Sequence, residues 1–193
     1  MLAKATNLLG LAQRAARQEP IQNFFLSGIP PLGQVRSECA ILGHLNGVLG
    51  VSGRGSVDRF RLSIPEIQRA IRAANPGQSN DPAKDIHYVT PELQRRGLPI
   101  KEKSLKGGKT ILSVTRALFH SGSFAVLSIA HAFALLPYPL PTEDHFALEV
   151  DSLEGGRLTP LSIIEYMQLI RTAHEAFGGL TFADGLKVFR CKN

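Results

Sequence analysis

The chain has 193 residues, 44% apolar and 20% charged, with a formal charge of +6 and a pI near 9.6. This composition excludes a disordered or collagen-like chain, and the length suffices for one domain with a core that needs no metal or disulfide staples. Two cysteines, Cys39 and Cys191, are too few for a disulfide framework, and both are expected as reduced thiols.

Residues 2–18 predict a first helix, with Leu2, Ala5, Leu8, Leu9, Ala12 and Ala16 on one stripe. Its apolar run is broken, and arginines follow it rather than precede it, so it is not read as a secretory signal. Glu19-Pro20 ends it, and residues 24–33 form a loop carrying Phe24 and Phe25. Residues 1–33 are therefore expected as a helical arm and loop ahead of a globular unit at 34–193.

The next helix is predicted over 34–49, with Cys39, Leu42, Leu45 and Leu49 on its apolar side. Residues 50–56 read as a flexible loop. Residues 58–63 alternate as a short strand, Phe60 and Leu62 opposite Arg59 and Arg61. Ser63, Pro65 and Glu66 give a capping-box start to a helix that buries Ile64, Ile67 and Ile71 and leaves Arg69 and Arg72 outside. A Pro, Asn and Asp-rich loop spans 75–85, and "IHYV" (86–89) reads as a short strand. Thr90-Pro91 then opens a short helix ending at Gly97, with Arg95 and Arg96 in its last turn.

Residues 104–114, SLKGGKTILSV, end like a phosphate-binding loop. The glycine that such a loop needs five residues before Gly108 is Lys103, so no nucleotide site is expected. What remains is a lysine-rich lead-in, Lys101, Lys103, Lys106 and Lys109, running into a helix that starts at Thr110: a generic anion contact. The apolar stretch 124–140 is too short and too broken by Pro137 and Pro139 to span a bilayer, and residues 110–136 read as two buried helical segments separated at Ser121–Ser123. Residues 145–150 alternate as a strand ending on Asp151. Thr159 and Pro160 open a long helix stopped by Gly178-Gly179, and residues 186–190 form a final strand. The expected architecture is a compact, helix-rich α+β domain with a few short strands and an N-terminal helical arm.

Charge is uneven along the chain. Residues 1–110 hold sixteen Lys or Arg against eight Asp or Glu, and residues 111–193 hold six against eight. The basic front points to a polyanion partner, nucleic acid or an anionic membrane surface, contacted by Arg59, Arg61, Arg69, Arg72, Arg95, Arg96, Lys103, Lys106 and Lys109. On this reading the chain is a non-enzymatic, self-associating intracellular component, similar in size and charge to viral matrix or nucleoproteins. It would be able to associate peripherally with membranes.

The alternative is a cysteine-dependent hydrolase. Cys39 lies near the start of a helix, His145 opens a later strand and Asp151 ends it. Cysteine on an early helix and histidine on a later strand is the order that papain-like enzymes use, although Cys39 lacks a Gly and Trp setting. No tight His or Cys spacing is present, so neither a metal nor a cofactor is expected.

Overall fold

The computed structural model describes residues 36–52, 63–74, 82–105, 110–128, 131–152, 157–176 and 185–191, with Gly10, Ala12, Gln13, Ala15 and Arg17. Among them are five helices of seven or more residues and a six-stranded sheet, a mixed α/β architecture. The helices are α1 (Arg36–Ser52), α2 (Ile64–Ala74), α3 (Pro82–Arg95), α4 (Ile111–Leu118) and α5 (Ile163–Ala176). The strands are β1 (Ile100–Glu102), β2 (Ser123–Ser128), β3 (Ala132–Pro137), β4 (Ala147–Asp151), β5 (Arg157–Leu161) and β6 (Leu186–Cys191).

Every neighbouring pair is antiparallel, in the order β1-β6-β2-β3-β4-β5. Two cores flank this sheet. Alternate strand residues such as Phe124, Val126, Ala134, Leu136, Val150 and Phe189 pack with α1, α2 and α3. The intervening ones, such as Ala125, Leu127, Leu135 and Val188, pack with α4 and α5. Helices therefore cover both faces. Ala12 and Ala15 are buried in the α1 side, so this part of the expected arm docks on the main core.

Double coverage explains the main departure from the sequence reading. Residues 123–137 form two strands of a hairpin, not a helix. A strand buried on both faces loses its polar alternation and reads as a continuous apolar run, which periodicity does not separate from a buried helix. Residues 86–89 are also not a strand: they belong to α3, which continues through Pro91 to Arg95. Thr159 and Pro160 lie in β5, and α5 begins at Ile163. There Ser162 and Glu165 form the reciprocal cap, Glu165 N–H donating to Ser162 Oγ and Ser162 N–H to Glu165 Oε2. The predicted start of α4 holds, with Thr110 and Ser113 forming a capping box. The strand at 58–63 lies outside the described residues up to Ser63.

α1 is the central helix. It lies between the sheet and α3, and it touches the sheet through glycines. A Cβ at Gly43 would stand 3.3 Å from Val126 Cγ1, one at Gly47 would sit 2.6 Å from Phe124 Cγ, and one at Gly50 would sit 2.9 Å from Leu136 Cδ2. The stripe thus brings the helix backbone onto the β2–β3 hairpin, with its first turn over the end where the hairpin reverses. Among the described residues no helix is long and apolar enough to cross a membrane.

Candidate active site

Cys39 is the fourth residue of α1, in its first turn, and is 6% exposed. The positive end of the helix dipole favours a thiolate there. His131 stands immediately before β3. Asp151 is the last residue of β4, and the β3–β4 register pairs Ala134 with Val150. Asp151 therefore comes to the same end of the sheet as His131.

The three side chains meet. His131 Nε2 lies 2.6 Å from Asp151 Oδ1, and His131 is also hydrogen-bonded to Cys39. Burial pulls the imidazole pKa down, but the hydrogen bonds to Asp151 and Cys39, with the charges of both, outweigh it and raise His131 to about 9. At neutral pH the ring is a cation held between two acidic groups. Among the described residues no group of three or more His, Cys, Asp or Glu could hold a metal ion.

His145, expected to be the base, is elsewhere. It sits in the turn between β3 and β4, its ring against Tyr138 at 5.3 Å and its backbone N–H donating to Thr142 Oγ1. The length of β3 separates that turn from His131, about 17 Å at 3.3 Å per residue. The sequence signal for His131 was present but weak. It is a lone histidine between two apolar runs, "VLSIA" and "AFALL", one strand ahead of a strand-terminal aspartate. Reading the two runs as a single helix hid the turn between them.

Cys191 ends β6 at the opposite edge of the hairpin, where its N–H donates to Gly122 O. Neither cysteine is in a disulfide, and both are buried. A second histidine, His44, belongs to the support of α1. Its Nδ1 lies 2.7 Å from Ala40 O and its Nε2 2.9 Å from Thr90 Oγ1 on α3. Fully buried, it has a pKa lowered to about 4, by desolvation first and by the charge of Lys187. Neutral at working pH, it donates from Nδ1 to the carbonyl of the residue after Cys39 and accepts from Thr90. This ties the turn that carries Cys39 to the neighbouring helix.

The expected polyanion contacts fall on both sides of the sheet. Arg69 and Arg72 are exposed on α2. Arg95 and Arg96 both pair with the buried Glu92, and Arg96 also reaches Glu66 at 3.4 Å. Lys103 lies on the other face of the sheet, donating to Ala117 O at the end of α4. Arg59, Arg61, Lys106 and Lys109 lie outside the described residues. No protein-family model matches the chain, and no match is found among curated proteins or solved structures.

Proposed function

We propose that the chain is a cysteine-dependent hydrolase of acyl substrates such as peptides or thioesters. Cys39 is the nucleophile, His131 the acid and base, and Asp151 the group that orients His131. The supporting observation is the single imidazole hydrogen-bonded to a helix-start thiol on one side and a carboxylate on the other. The Cys39 thiolate adds to the substrate carbonyl carbon. As the tetrahedral adduct collapses, the carbon–nitrogen or carbon–sulfur bond breaks, and His131 gives its proton to the leaving group. Water then attacks the acyl-enzyme thioester, His131 takes the water's proton, and Cys39 is released as thiolate.

The test is site-resolved alkylation with iodoacetamide at pH 6, followed by mass spectrometry. Cys39 is expected to react at least tenfold faster than glutathione. His131→Ala should remove that advantage and His145→Ala should keep it. A Cys39 no faster than glutathione ends the proposal. The polyanion reading draws support from the exposed Arg69 and Arg72 on one helix. Salt-sensitive binding to single-stranded RNA that falls in an R69E/R72E variant tests it separately.

A further inference from the structure

Three cations share the edge of the sheet on the α4 side, away from Cys39. Lys101 of β1 is directly opposite Arg190 of β6, and Lys103 follows two residues on, with its side chain on the same face. Like charges directly opposite each other on a sheet are destabilising. The mutual repulsion shows in Lys103, whose pKa is lowered by burial and then by the charge of Arg190. A fourth cation, Arg116, is exposed on α4 beside Ala117, the residue whose carbonyl takes the Lys103 ammonium. Among the described residues none of the four is paired with a carboxylate. The nearest acid in sequence, Glu102, faces the other side of the sheet and bonds Lys187 at 3.0 Å.

An apolar side chain accompanies this cluster. Leu112 is 58% exposed, and it stands one turn before Arg116 on the outer stripe of α4. Acidic Glu143 and Asp144 lie in the β3–β4 turn, away from the β1–β6 edge. A cationic cluster with a projecting aliphatic side chain matches an anionic lipid surface: headgroup phosphates and carboxylates meet the cations, and the leucine enters the headgroup boundary. A nucleic-acid groove would instead present an aromatic face for the bases, and the exposed large side chain here is aliphatic.

We propose that the edge formed by Lys101, Lys103, Arg190, Arg116 and Leu112 docks the protein peripherally on membranes rich in anionic lipid. The face is on the far side of the sheet from Cys39, so Cys39→Ala binds as the native chain does. Failure of either reading leaves the other standing.

Vesicle flotation of the full chain tests this, with phosphatidylcholine alone and with 30% phosphatidylserine, at low salt and at 0.5 M salt, as chosen conditions of roughly a threefold span in Debye length or more. Binding is expected only with phosphatidylserine and only at low salt. K101Q/K103Q/R190Q should lower partitioning by roughly a hundredfold, at about a factor of five per charge. Leu112→Asp should weaken it further, whereas the same change at Leu140, a still more exposed leucine in the β3–β4 turn, should not. Arg190→Gln alone, with its urea midpoint checked, guards against a triple variant that misfolds. Equal binding to both vesicles, no binding, or an unchanged triple variant overturns the proposal. So does tighter binding to single-stranded RNA than to the anionic vesicles, which would assign the face to nucleic acid.

Discussion

Replacing Asp151 by Asn tests the charge arrangement around His131 most directly. Two opposed effects set that ring's pKa: burial lowers it, and the hydrogen bonds and charges of Asp151 and Cys39 raise it to about 9. With the carboxylate neutralised, burial is opposed by Cys39 alone, and the ring falls back toward or below its ordinary 6.5. At pH 7.5 its protonated fraction then drops from nearly all to about a tenth. A displacement of that size corresponds to about 3 kcal/mol of preference for the charged ring. The native state holds this proton up to about pH 9, whereas the unfolded chain releases it near 6.5. The stabilisation is therefore complete below 6.5 and disappears as pH rises through 9. Urea unfolding should show D151N less stable than the native chain by up to about 3 kcal/mol at pH 6, with the gap closing by pH 10. Alkylation of Cys39 at pH 7.5 should slow by roughly tenfold over the same comparison. An alkylation profile and a stability gap both independent of pH would refute the arrangement.

Three other outcomes follow from the structure. Cys39→Ser should abolish acyl hydrolysis while leaving the urea midpoint nearly unchanged, measured on a panel of peptide and thioester substrates. His44 contributes with the opposite sign to His131. The unfolded chain takes up a proton near 6.5 and the folded one only near 4, so stability should fall between those pH values by up to about 3 kcal/mol, and His44→Gln should flatten that limb in thermal melts. Gly47→Ala should cost about 1–3 kcal/mol in urea unfolding, because its methyl group would meet the Phe124 ring; a neutral result would mean that α1 rides higher on the sheet.

The parts of the fold legible in the sequence are those with a local signature. Ile64, Ile67 and Ile71 keep helical spacing behind a Ser–Pro–Glu start, and they are the buried residues of α2. Thr110 caps α4 as its position before an apolar turn suggests. The β2–β3 hairpin has no such mark, because every residue of β2 is buried and nothing polar alternates. Two members of the candidate site, Cys39 and Asp151, were recognisable at a helix start and a strand end. The third was not, since what makes His131 a partner is the antiparallel register that returns β4 beside the start of β3. Its place at the start of a predicted strand that ends on Asp151 made His145 conspicuous, yet it sits at the wrong end of the same two strands.

The glycines of α1 carry a consequence for how this protein tolerates change. Gly47 and Gly50 are about 12 and 16 Å from Cys39 along the helix axis. They touch nothing that reacts, yet they fix how deep and at what angle the helix lies, and a helix levered up at one end moves at the other. A screen for inactive variants should therefore return two separated groups. One would cluster at Cys39, His131 and Asp151. The other would lie at the far end of α1, where folded, soluble variants hold an intact cysteine in the wrong place.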